Sequence, residues 1–181
     1  MKTRVLILSM LLIAGCGDRE LVPSHSPNGT TQWRMGTDER TLRVKHDALR
    51  NRAWVLDVDR VHVYDTHTRQ LIRTIALPGW SVAEFACRPD IAFDRSGTAF
   101  ISHNGEPKLW QIDPDTFALT ERSVRLVGRE HLDVGFGRLT LAPDGRLFAV
   151  SASGGSLWRI DVRDATAQEI TVDGGAVEQC I

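Results

Sequence analysis

The side chains best suited to chemistry in this 181-residue chain are six histidines, three cysteines and a scatter of carboxylates. His25, His46, His62, His67, His103 and His131 fall in no His-x-x-x-His or His-Glu-x-x-His pattern, so a zinc-hydrolase helix has no support. His62 and His67 lie near Asp57, Asp59 and Asp65. That grouping has the donors of a hard-cation site, but alternating outward positions of a hairpin account for it without a metal. No Gly-x-Ser-x-Gly elbow supports a serine nucleophile, and nothing beside Cys87 reads as a base that would activate its thiol. One polar connector remains, with Arg129, His131 and Asp133, and an earlier one holds Trp80 and Glu84. These five are the candidate ligand-binding residues. No catalytic residue, metal site or cofactor is assigned.

What would position them is a repeat. "KLWQID" (108–113) and "SLWRID" (156–161) lie 48 residues apart, and 48 before Leu109 stands Val61, which opens "VHVYD". Ile91 and Leu139, Gly97 and Gly145, and Phe100 and Phe148 keep the same interval. Each unit reads as four short strands. The second unit has 90–94, 98–103, 108–113 and 119–127; the third has 138–142, 146–152, 156–161 and 167–172. The first is looser, with 41–47, 53–59, 60–65 and 71–77. Asp-x-x-Gly, Pro-Asp-Gly, Asn-Gly and Gly-Gly supply the reversals between strands.

Four antiparallel strands per 40–50 residues is the pattern of a β-propeller blade. The fold class expected is therefore all-β, with three blades at about 41–78, 88–128 and 136–173. Along "LWQID", Leu109 and Gln111 point one way and Trp110 and Ile112 the other, so apolar groups line both faces. Trp110 and Trp158 are then expected to fill the same gap between adjacent sheets. The strings "IAFDRSGTAFISH…LWQIDPDT" and "LTLAPDGRLFAVSA…LWRIDV" resemble the YVTN-type repeats of bacterial propellers, over roughly residues 41–174. The resemblance implies architecture. Its superfamily includes surface-layer modules, quinoprotein amine dehydrogenase heavy chains and lactonase-like enzymes.

The N-terminus carries an address. Lys2 and Arg4 precede an apolar stretch from Val5 to Ile13, too short for the roughly 20 residues that span a bilayer but of signal-peptide length. Ile13-Ala14-Gly15-Cys16 looks like the lipobox of bacterial lipoproteins, which implies a signal peptide at 1–15, cleavage before Cys16 and its lipidation. Gly17 after the cysteine is similar to lipoproteins sent to the outer membrane, here facing the periplasm. Residues 16–40, with Pro23, Pro27 and "SPNGTT", read as a flexible tether, and 41–181 as the partial propeller. The mature chain would hold 20 basic and 23 acidic residues, a net −3, with no basic patch for nucleic acid. In an oxidising compartment the remaining Cys87 and Cys180 form an even pair, the candidate disulfide.

Closed propellers use about four to eight blades, and three would leave two apolar sheet faces in water. "GGAVEQCI" (174–181) echoes "GWSVAEFAC" (79–87), as though a fourth blade were about to begin. A homodimer could close a six-bladed ring, a partner protein could supply the missing blades, or the chain could be a truncated remnant. Two function classes follow. One is an envelope lipoprotein with a non-catalytic, protein- or ligand-binding scaffold. The other is a lactonase-like or amine dehydrogenase-like enzyme or subunit.

Overall fold

A computed structural model describes residues 41–84 and 87–171, together with the backbone of 21–25 and 31–35. Every regular element among them is a strand. β1 (Leu21–His25) and β2 (Thr31–Met35) form a two-stranded antiparallel sheet. The expected tether therefore contains a pair of antiparallel strands. Residues 1–20, including Cys16, lie outside the described residues.

The first repeat folds as β3 (Thr41–Asp47), β4 (Arg52–Asp57), β5 (Arg60–Asp65) and β6 (Leu71–Ala76), hydrogen-bonded in chain order. The second is β7 (Ile91–Phe93), β8 (Ala99–Ser102), β9 (Lys108–Ile112) and β10 (Leu119–Ser123). The fourth strand of this blade was expected to run to residue 127. Instead the chain crosses over at Val124, and β11 (Arg125–Leu126) joins the third sheet, parallel to its outermost strand. The crossing buries Val124 and Leu126 in the core between the second and third sheets. The third sheet is completed by β12 (Phe136–Leu141), β13 (Leu147–Ser151), β14 (Leu157–Asp161) and β15 (Thr166–Ile170). These are separate four-stranded antiparallel blades, the third edged by a strand from its neighbour.

The recurring aspartate closes a turn. Asp65 Oδ1 accepts the amides of His67 and Thr68 and the Thr68 hydroxyl. Asp113 does the same for Asp115 and Thr116, and Asp161 accepts the amides of Arg163 and Asp164. These hydrogen bonds, to Thr68 and Thr116 foremost, hold the Asp65 and Asp113 carboxyls below the usual range. Four residues on, each turn uses a positive φ, at Arg69 (60°), Phe117 (59°) and Ala165 (49°). Gly97 and Gly145 take φ near 87° and 86° in the turns between first and second strands, where glycine carries no steric penalty.

Side-chain alternation along the third strands is as expected. Trp110 and Ile112 face the first blade, in a core with Trp54, Leu56, Val61, Val63 and Ile75. Leu109 joins Phe100, Phe136, Trp158 and Ile160 between the second and third blades. Both Trp110 and Trp158 are fully buried. The Trp158 indole donates to Ser156 Oγ at 2.8 Å. The indole N–H groups of Trp54 and Trp110 have no hydrogen-bond partner, a penalty of about 1–3 kcal/mol each. Burying on the order of 200 Å² of ring surface contributes more, roughly 5 kcal/mol gross, so the packing wins.

At the first blade His62 and Tyr64 hold the places of Trp110 and Ile112. They face away from the second blade. That face is nonetheless covered: Val44, Ala53, Val55 and Tyr64 form their own buried cluster, and β1 comes close to β3. Burial, and secondarily the Asp57 charge, push the Tyr64 hydroxyl up to about 12.

Candidate functional site

Connectors between blades and loops between second and third strands share one end of the stack, where channel-end chemistry would sit. Their positions are set by a few buried polar side chains. Asn104, 3% exposed, pairs with the backbone of Ala83 twice: its carbonyl accepts the Ala83 N–H at 2.8 Å and its amide donates to the Ala83 C=O at 2.9 Å. The same loop accepts a second connector, since the Phe136 amide donates to the His103 carbonyl at 2.8 Å. Gly135 is required there, because a methyl group would collide with the Asn104 carbonyl.

His103 is 2% exposed. Its ring stacks on Trp110 (centroids 5.6 Å apart, 27° between planes) and meets Trp80 edge-on. Nδ1 lies 3.1 Å from the Gly105 amide, which donates to it, and Nε2 lies 3.3 Å from the Ser81 hydroxyl. The proton of the neutral ring therefore sits on Nε2. Burial lowers the His103 pKa from the ordinary histidine value, outweighing the carboxylates of Glu106 and Glu121, which raise it.

Closer to the axis stands Asp90, 3% exposed, just before β7. Its Oδ1 accepts the Ile91 amide at 2.9 Å and lies 3.3 Å from Arg43 Nε and 3.5 Å from Lys45 Nζ, both on β3. The Arg43 contact is an ion pair whose Nε–H is not aligned for a hydrogen bond. Oδ2 accepts the Leu139 amide of β12 at 3.2 Å. One carboxylate thus touches the innermost strands of all three blades. Ser102 Oγ adds a second tie, accepting the Asp90 amide at 2.9 Å and donating to the Gly137 carbonyl at 2.8 Å.

The five candidate ligand-binding residues do not form one cluster. Trp80 is buried, its indole donating to the Ser102 carbonyl at 3.1 Å. It packs in the core of the first two blades, which corrects its assignment to a ligand surface. Glu84, Arg129, His131 and Asp133 are exposed. Arg129 turns outward to Glu169 on β15, with Nε and Oε2 3.0 Å apart. The turn that carries it closes through the Leu132 amide to the Arg129 carbonyl at 2.9 Å. Within that turn the Glu130 carboxyl is held below its usual range by backbone amides, its own and then that of Gly128.

Cys87 is buried and disulfide-bonded, while Cys180 lies outside the described residues. The Cys87 amide donates to the Ala152 carbonyl of the third blade at 2.9 Å, and its Cβ sits where a methyl on Gly137 would have to go. His62 Nδ1 lies 3.0 Å from the Thr74 hydroxyl, and Asp59 clamps Arg60. Among the described residues, no three His, Cys, Asp or Glu side chains gather as a metal-ligand set.

No protein-family model matches the chain, and no curated protein does. Solved structures do. The chain is similar to virginiamycin B lyase from Staphylococcus aureus, with a TM-score of 0.59 and 14% identity, over 87% of this chain and 50% of that one. It is also similar to the extracellular domain of a protein described as a hybrid two-component system from B. thetaiotaomicron (TM-score 0.53, 17% identity, 87% of this chain, 20% of that one). A third match is a protein from Lactobacillus plantarum (TM-score 0.51, 18% identity, 83% of this chain, 50% of that one). These likenesses show the β-propeller fold. The chain spans about half the length of the lyase it matches.

Proposed function

We propose that the chain is a bacterial envelope lipoprotein, anchored through Cys16, whose partial propeller is a non-catalytic binding scaffold for another protein. The observation that carries this reading is the use made of the ionisable groups nearest the axis. Asp90 is engaged on both oxygens by three blades, and the two ring nitrogens of His103 face Gly105 and Ser81. Both act as struts. A general base needs a free lone pair within reach of substrate, and these two have theirs committed to the fold. The exposed polar residues at that end, Glu84, His131 and Asp133, form a rim suited to contacts with a macromolecule. We further propose that Cys180 is the partner of Cys87, tying the chain beyond β15 back to the connector before β7.

Covering of Val44, Val55 and Tyr64 on the first blade favours a different protein over a second copy as the partner. A homodimeric six-bladed ring would need that face free. The reading is tested on protein extracted from membranes. Mass spectrometry is expected to find acyl chains on a Cys16 N-terminus, elemental analysis a substoichiometric metal content, and sedimentation the mass of one chain. A lactonase-like enzyme would instead carry one equivalent of a divalent cation, and that result would overturn the scaffold.

A further inference from the structure

Arginines reach across both seams between blades, from different register positions. Arg52 on β4 donates from Nη1 to the Pro114 carbonyl in the outer turn of the second blade. Its guanidinium lies 5.2 Å from the centre of the Phe117 ring, and Arg73 on β6 lies 5.8 Å from the same ring. Phe117 thus enters a slot between two arginines of the preceding blade and meets Trp54 at 6.1 Å. One blade on, Arg122 donates to the Val162 carbonyl of the third blade's outer turn at 3.3 Å.

Strand register identifies the same slot on the third blade. Trp54 stands opposite Val63, and Phe148 opposite Arg159, which is 96 residues after Val63. Arg146 therefore holds the place of Arg52. Gln168, opposite Arg159, holds the place of Arg73, opposite Val63. At that place the third blade has a cavity of about 240 Å³, lined by Arg146, Arg159, Asp161, Thr166 and Gln168 beside Val127. Val127 is 41% exposed. A cavity near 150 Å³ admits a benzene ring, so this one has room for a phenyl group and part of its turn.

We infer that the slot on the third blade receives an aromatic side chain carried at the tip of a β-turn of a partner protein, in the way Arg52 and Arg73 receive Phe117. This rests on the scaffold reading above and names the chemistry its partner must present. Two guanidiniums favour the face of an aromatic ring, and Arg146, like Arg52, can donate to a turn carbonyl. A second copy of the chain does not fit. The first blade's outer turn has Arg69 where Phe117 stands, 48 residues earlier, and would bring a third guanidinium to the pair. Residues 172–181 contain no aromatic residue, so they do not supply the ring.

The probe is a cyclised Asp-Pro-Asp-Thr-Phe-Ala peptide, the sequence of residues 113–118, titrated into the ¹⁵N-labelled full chain up to about 10 mM, a range that reaches weak binding. Side-chain N–H signals of Arg146 and Arg159 and the Val127 amide are expected to shift and saturate. Arg146→Ala and Arg159→Ala are each expected to weaken binding about 3- to 10-fold, the range of a partly desolvated cation–π contact. Replacing the peptide's phenylalanine with alanine should abolish the shifts. The inference is overturned by an absence of shifts, by shifts confined to residues 128–133, or by shifts that survive both substitutions. Self-association of the free chain that moves the same signals would place a second copy in the slot and overturn it as well. None of these outcomes bears on the acylation or metal tests, so the broader reading stands or falls separately.

Discussion

Replacing Asp90 with asparagine keeps the shape of the side chain and removes its charge. In the native fold the carboxylate is 3% exposed and accepts the amides of Ile91 and Leu139 while facing Arg43 and Lys45. An amide has one oxygen, so it can serve the Leu139 amide or the cationic side, not both. Losing one hydrogen bond to a charged group costs about 1.5–3 kcal/mol. The stranded cations add little, because the Arg43 and Lys45 side chains are 23% and 38% exposed and can turn to water. We expect a net loss of about 2 kcal/mol. With a urea m-value of roughly 2 kcal/mol per molar, the midpoint falls by about 1 M at unchanged slope, followed by tryptophan fluorescence. Because the ion pair joins the first two blades and the Leu139 bond joins the last two, Arg43→Met should couple to Asp90→Asn by about 1 kcal/mol in a double-mutant cycle. An Asp90→Asn chain that unfolds at the wild-type midpoint would refute the claim that this carboxylate ties the blades together.

Four other outcomes follow from named groups. His103 binds protons less readily folded than unfolded, so its contribution to stability is fully present above about pH 6.5 and is lost as pH falls below it; in His103→Gln the midpoint should lose that dependence between pH 5 and 7, measured by urea titration at each pH. Tyr64 is the one tyrosine of the chain, and its folded pKa of about 12 lies above the unfolded value near 10. Absorbance titration should show ionisation delayed past pH 11, with stability falling as pH rises from 10 to 12. A normal titration would mean that the outer face of the first blade is open. Trp158→Ala is expected to cost about 3–5 kcal/mol and Gly135→Ala at least 1–3 kcal/mol by overpacking against the Asn104 carbonyl, both read from chemical denaturation.

The sequence made visible whatever the repeat writes more than once. The 48-residue interval carried the Asp65, Asp113 and Asp161 turns, the alternation of Leu109 and Trp110, and hence the stacked sheets. Features that occur once were hidden from that reading. By strand register the position of Asp90 is Arg138 in the third blade and Arg43 in the first, so no period pointed to the strut. Asn104 reads as a turn residue, and only the fold shows its side chain holding a connector some twenty residues earlier. The crossover at Val124 is invisible because β10 carries a single apolar residue, Leu119, so no alternation marks where that strand stops. Trp80 read as a ligand-facing aromatic because it lies in a connector, yet its indole had a backbone carbonyl to reach and a core to fill.

The separate sheets and their stacking are tested most directly by nuclear Overhauser contacts from the rings of Trp110 and Trp158 in the full chain. The structure predicts that Trp110 contacts Leu56 and Val61 of the first blade, and that Trp158 contacts Phe100 and Leu109 of the second. Tryptophan contacts confined to each ring's own sheet, or contacts of Trp158 with Leu56 and Val61, would contradict it.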